Sequence, residues 1–259
     1  MPYRRLPNSV PSVLRNLNTA SDTYVNTTNP ADRAISIAQF ALIDKNDPAS
    51  ILSRLIMESS DTDIAQAAQA PLTAAVAKEA ARLTMLVSHF HQVLDLGITR
   101  GTFQPGARSY YGRDVSATTL PDLSSYPDVE ESAKSVVSGE AKRQQAEGAN
   151  FVAMALPSAA EVAQELAIFT AARTASQKAQ VNTDQQSAEL QTVYALAQPL
   201  AVDIDDTVEF FYRADKNTGD GGAFRTKCSR WGVVYVYEPH EPQPAPAATT
   251  PPATPPGHA

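Results

Sequence analysis

The sequence predicts a mainly α protein: an elongated helical bundle of about four main helices, with a small β element from a C-terminal strand. Three observations carry that reading. Ser158 to Gln198 runs for 41 residues without glycine or proline, in a chain of 259 that holds 11 and 19 of them. A second stretch, 62–96, repeats apolar residues at three- and four-residue spacing. Trp231–Tyr237 (WGVVYVY) is the one segment dense in β-branched and aromatic residues. At about 1.5 Å per residue, the 41-residue stretch makes a rod of about 60 Å, which needs a second rod beside it to cover its apolar stripe.

In chain order, residues 1–8 form an extended arm holding Arg4 and Arg5. Ser9 caps a helix with Pro11 in its first turn and Val13, Leu14 and Leu17 on its apolar side. Asn26 to Pro30 interrupts it, and a helix from about Ala31 to Asp44 follows. Asp47-Pro48 opens a short helix with Ile51, Leu55 and Ile56. Asp61 caps the rod at 62–96, bent or interrupted at Pro71, whose stripe is Val76, Ala80, Leu83, Val87, Phe90 and Leu94. Gly97 and Gly101 end it.

The segment 101–127 is rich in glycine, proline and tyrosine, and a loop of that length in a compact domain tends to be functional or tightly packed. A polar helix, 128–147, comes next. Ser158 and Glu161 form a capping box that opens the long rod. Its stripe of Leu190, Val193, Ala197, Leu200, Ile204, Val208 and Phe211 continues through Pro199. The middle, 173–187, is polar on nearly every face, and Thr183 with Gln186 offers an alternative in which the rod breaks into a hairpin near Asn182.

Asp215 to Gly222 reads as a turn. The strand at 231–237 cannot satisfy its own backbone amides. It must pair with the N-terminal arm, with part of the 101–127 loop, or with another subunit. Residues 1–238 thus form one helical bundle with its strand. The tail 239–259 holds eight prolines among alanine and threonine and cannot build a core.

Composition narrows the function. With 43% hydrophobic and 19% charged residues the chain is an ordinary soluble protein. A net charge of −7 and a pI near 5.1 argue against nucleic-acid binding. No apolar run approaches 18 residues, so no membrane span is expected. The single cysteine, Cys228, excludes an intramolecular disulfide and fits a reducing compartment. Without a visible secretory signal, the expected location is the cytoplasm.

Candidate chemistry is sparse. His89 and His91 point about 200° apart on a helix and cannot chelate one ion. Cys228 has Arg225, Lys227 and Arg230 near it but no identifiable acid, base or resolving cysteine. Asp203, Asp205, Asp206 and Glu209 read as a solvated face. The turn at 215–226 begins like a calcium loop, yet Asp220 stands where glycine is required and Thr226 where the closing glutamate belongs. Phosphate-loop, dinucleotide, zinc-protease and serine-hydrolase motifs are absent from the sequence. Neither a cofactor nor a metal is expected. Pro239 to Pro242 and Pro252 to Pro255 have the spacing that proline-recognition domains read.

Six stretches together carry a resemblance: RRLPNS (4–9), VSHFHQVLDLGITRG (87–101), LPDLSS (120–125), PSAAEV (157–162), DTVEFFYR (206–213) and KCSRWGVVY (227–235). In these the chain resembles a family of uncharacterised bacterial proteins with long helices and a closing WGVVY-like strand. The resemblance spans most of 1–237, excludes the tail, and implies no activity, cofactor or catalytic residue.

The expected function is therefore non-enzymatic: a structural or assembly protein that forms a homo-oligomer through its long helices and the strand. Trp231, Val233, Val234, Tyr235, Val236 and Tyr237 are the candidate contacts. The alternative is a monomeric adaptor whose 101–127 loop binds a protein partner through Arg108, Tyr110, Tyr111 and Arg113, while the tail recruits another. A third reading places an enzyme site under the same loop.

Overall fold

A computed structural model describes residues 2–217 and 221–237. Over these the protein is mainly α with a small two-stranded β element, as the sequence predicts. Contacts gather the chain into two compact units, 63–185 and the remainder on either side of it, each with its own apolar core. The sequence reading draws one bundle over 1–238 and no such division. Its proline-rich tail lies outside the described residues.

The first unit opens with strand β1 (Tyr3–Arg5) and helix α1 (Val10–Asn26). Ser9 sits extended before the helix, and its N–H donates to Ser12 Oγ at 3.0 Å. Val13, Leu17, Ala20 and Tyr24 recur at helical spacing and are buried.

The helix expected over 31–44 is shorter. Asn29 caps a 3-10 turn at Pro30–Asp32, Ala34 and Ile35 then enter the core, and α2 covers Ile37–Ile43. The reason is a second capping box. Gln39 N–H donates to Ser36 Oγ at 3.1 Å while Ser36 N–H donates back to Gln39 Oε1 at 3.0 Å.

Helix α3 covers Ile51–Thr99 without a break, so the expected short helix and rod are one element and Asp61 is not a cap. Leu52, Leu55, Thr62 and Ala65 are buried and carry the stripe across the expected boundary. Pro71 sits inside the helix on its exposed side, where water can reach the carbonyl that the missing N–H releases. The helix stops at Gly101, whose φ of +78° suits glycine, and Thr102 N–H closes back on Gly97 O at 2.8 Å.

Helix α4 is a single turn, Ala107–Tyr110, inside the glycine-rich segment, and α5 spans Tyr126–Glu147 behind the cap of Ser125. Helix α6 covers Ala159–Phe211 and is continuous, which removes the hairpin alternative. Thr183 does not start a new helix; its hydroxyl donates back to Ala179 O at 3.0 Å.

After a 3-10 turn at Arg213–Asn217 comes α7, Gly222–Ser229, which the sequence reading missed. Strand β2, Val234–Val236, pairs antiparallel with β1 in the register Tyr3↔Val236, Arg4↔Tyr235 and Arg5↔Val234. Of the three partners the sequence left open, the N-terminal arm is the one used. The strand is also shorter than 231–237. Trp231 and Gly232 form a turn, with Trp231 buried and its Nε1–H donating to Tyr212 Oη at 3.2 Å.

The second unit takes 63–99 of α3, then α4, α5 and 159–185 of α6. Leu83, Val87, Phe90 and Leu94 meet Val129, Ala133 and Val136 of α5, Val162 and Phe169 of α6, and the loop residue Tyr111 in its core.

Candidate functional site

All four loop residues singled out by sequence make buried or half-buried contacts within the second unit. Arg108 and Arg113 converge on Asp95 of α3: Arg108 Nε donates to Oδ1 at 2.7 Å and Arg113 Nη1 to Oδ2 at 3.0 Å. Their remaining nitrogens hold the loop's own carbonyls, Arg108 Nη1 that of Val115 at 2.9 Å and Arg113 Nη2 that of Thr119 at 2.7 Å. Two guanidinium groups on one carboxylate fold the loop back onto α3.

Tyr111 packs edge-on against Phe90 and donates its hydroxyl to Glu140. Tyr110 is half-buried, and its backbone passes so close to Gly139 of α5 that a Cβ there would lie 2.4 Å from Tyr110 O. The loop is a packed strap whose arginines are already paired.

Behind it lies the charged layer that sequence reasoning missed. Arg143 is 0% exposed. Its guanidinium donates to Tyr111 Oη at 2.7 Å, Glu147 at 3.1 Å, Glu140 at 3.2 Å and Val152 O at 2.7 Å. Its only signal in the sequence is the i,i+3 and i,i+4 spacing of Glu140, Arg143 and Glu147, which ordinarily marks a solvated face. A cleft of about 170 Å³ beside the strap is lined by Arg113, Asp122, Asp128, Glu131 and Ser132. That is below the roughly 300–1,000 Å³ of typical small-molecule sites. Among the described residues no cluster of three or more histidine, cysteine or acidic side chains is arranged to hold a metal.

The strand candidates divide. Trp231 and Val233 are each 2% exposed and belong to the core of the first unit, while Val234, Tyr235, Val236 and Tyr237 are half-buried. Tyr235 donates to Glu209 at 2.6 Å, and Arg225 Nε donates to Tyr237 Oη at 3.3 Å. Arg4 fastens β1 to Asp206 at 2.5 Å. The acidic cluster is thus only partly solvated: Asp205 is fully buried and accepts from Asn16 Nδ2 at 2.7 Å. Burial pushes the Cys228 thiol up to about 11, so it stays protonated and enclosed at neutral pH.

Two buried groups give opposing responses to pH. Burial pushes the Asp205 carboxyl up to about 6, against the opposite pull of the Asn16 hydrogen bond. Between its ordinary value and about 6 the folded chain keeps a proton that the unfolded chain has released. The contribution of Asp205 to stability is therefore lost as pH rises through that window. Burial, then the charge of Arg113, pushes His91 down to about 4. Here the unfolded chain takes up a proton first, so stability is lost as pH falls from about 6.5 to 4.

Asp205→Asn keeps the acceptor for Asn16 and removes one of the two slopes. It is expected to steepen the rise of urea stability between about pH 4 and 6 and to add about 1–3 kcal/mol at neutral pH. A pH profile parallel to that of the unchanged chain would contradict the assignment.

The remaining candidate surface lies on α6 within the second unit. Ala163, Leu166, Ala167, Thr170, Ala171, Thr174, Ala175 and Lys178 line a shallow groove of about 730 Å³. From Gln164 to Val181, the fully exposed positions of α6 include one charged residue, Lys178. The face ends in Val181, which is 66% exposed, and carries exposed Ile168 at its edge. Compared with protein-family models, curated proteins and solved structures, the chain matches none of them, so the resemblance drawn above rests on its six sequence stretches.

Proposed function

We propose that this is a non-enzymatic structural or assembly protein that self-associates, and that the outer face of α6 between Gln164 and Lys178 is where two copies meet. The observation that supports it is that face itself. A solvent-facing helix ordinarily carries charge on its outer side, whereas this one presents alanine and threonine with a single lysine. Small side chains let two helix backbones approach closely, at the short end of the usual 8–10 Å.

A second copy is the occupant that fits. Two-fold pairing about Ala171 sets the helices antiparallel, with Ala167 opposite Ala175 and Gln164 opposite Lys178. A parallel pair would instead place Lys178 on its own copy, a like-charge contact. The helix carries the proposal rather than the strand, because Trp231 and Val233 lie in the core and Val234–Val236 pair with β1. The loop-centred adaptor is weaker for a similar reason, since Arg108, Tyr111 and Arg113 are bound within their own unit. A reducing compartment such as the cytoplasm suits a lone buried thiol.

Light scattering on the full chain is expected to give a dimer or a multiple of it. Ala171→Glu, which puts two carboxylates on the axis, is expected to reduce the mass to that of one chain with helix content unchanged. A full chain that is monomeric at high concentration would refute the proposal.

A further inference from the structure

Asn16 of α1 and Asp205 of α6 meet inside the first unit, 3% and 0% exposed, with Asn16 Nδ2 donating to Asp205 Oδ1 at 2.7 Å. We propose that these two side chains form a pH-sensitive latch. In its closed state an amide and a carboxylic acid share two hydrogen bonds, the second donated by a proton on Asp205 Oδ2 to Asn16 Oδ1. Loss of that proton loosens the hold of α1 on α6 and on the turn before β2.

Two unpaired atoms carry the proposal. Asn16 Oδ1 and Asp205 Oδ2 are the remaining oxygens of the bonded pair; both are enclosed, and neither has a hydrogen-bond partner among the described residues. An enclosed acceptor costs stability unless a donor reaches it. Because both oxygens are sealed from solvent, the donor has to come from within. The amide cannot turn to supply it. Its Nδ2 also donates to Gly232 O at 3.2 Å, so a flip would set Oδ1 against two acceptors. One proton on Asp205 Oδ2 answers both atoms, since it makes that oxygen a donor and gives Asn16 Oδ1 its partner.

The surroundings favour the neutral acid. Burial raises the Asp205 carboxyl to about 6, over the opposing pulls of the Asn16 hydrogen bond and of Arg4 on β1. Glu209 and Asp206 on the same helix add negative charge that raises it further. Arg4 is itself fastened to Asp206 at 2.5 Å. Helix α7 presents the Cys228 thiol, protonated at neutral pH, and Tyr235 of β2 gives its hydroxyl to Glu209.

Ionisation leaves a carboxylate beside an amide oxygen, two acceptors with no donor between them. The change reaches Gly232 directly, because its carbonyl accepts from the same Asn16 amide and its Cα lies against the Asn16 backbone. Next to it stands Trp231, buried and the one tryptophan of the chain, so its fluorescence reads the latch.

The test follows the full chain between about pH 4 and 8, by carbon NMR of labelled aspartate carboxyl groups and by Trp231 fluorescence. One carboxyl is expected to titrate with a midpoint of about 6, to be missing from the spectrum of Asp205→Asn, and to share its midpoint with a change in fluorescence. Asp205→Asn places an amide N–H where the proton stood, so its fluorescence is expected to keep the acid-side value of the unchanged chain throughout. Arg4→Gln withdraws a facing positive charge and is expected to move both midpoints upward together. An Asp205 carboxyl that titrates in the ordinary aspartate range, as it would beside a bridging water, would overturn the proposal. So would fluorescence that does not follow the carboxyl, or a transition that survives Asp205→Asn.

Discussion

Replacing Arg143 by leucine is expected to destabilise the second unit by about 3–5 kcal/mol, the range for removing one partner of a buried ion pair. The size of the effect follows from what the guanidinium leaves behind. The largely buried Glu140 would be left without its cation, the partly exposed Glu147 would lose its partner, and the Tyr111 hydroxyl and the Val152 carbonyl would each lose a donor. The ring faces of Phe103 and Phe151, at 4.9 and 4.6 Å from the guanidinium carbon, would lose their cation as well. Urea unfolding at neutral pH measures the loss. Because the penalty belongs to stranded carboxylates, adding Glu140→Leu to Arg143→Leu is expected to recover part of it. A loss below about 1 kcal/mol would place Arg143 among ordinary surface pairs.

The second large effect is expected at Gly232. Its φ of +100° lies where an L side chain is strained, and a Cβ there would stand 2.7 Å from Asn16 O and 3.1 Å from Asn16 Cα. Both neighbours are backbone atoms of α1, so neither can rotate away. Gly232→Ala adds conformational strain of about 1–3 kcal/mol to an overpacking cost of similar size. A total of about 3 kcal/mol or more is expected from denaturant unfolding. The same shift pushes on the Asn16–Asp205 contact, so near-ultraviolet circular dichroism of Trp231 is expected to change with it. A variant as stable as the original would show that the turn before β2 adapts.

The long helices were legible because their signals are redundant over many turns. The Leu83–Leu94 and Leu190–Val208 stripes each repeat for several turns, and the buried residues follow them. Boundaries were less legible wherever a local signal competed with the stripe. Asp61 has the chemistry of a cap, but buried Leu55 and Thr62 on either side hold it within α3. Ser36 and Gln39 are a capping box that a uniform apolar reading passes over.

Helix α7 is short and opens with glycine, and only Phe224 and Cys228, four apart and both buried, betray it. The pairing of β2 with β1 spans more than two hundred residues of chain and has no local trace. The same holds for the polar layer. Asp95, Arg108, Arg113, Glu140 and Arg143 each look like surface residues in the sequence; folding of the strap brings the first three together and lays Tyr111 over the last two, which are already neighbours on α5.

The most direct test of self-association through α6 is a cysteine at its proposed axis. In Ala171→Cys, two-fold pairing puts each new thiol beside its own copy, while the buried Cys228 stays silent. Mild oxidation of the folded protein is expected to yield a disulfide-linked dimer, with a cysteine at exposed Thr192 on the same helix giving far less. Equal and slow cross-linking at both positions would mean that α6 does not meet its copy about Ala171, and would contradict the account.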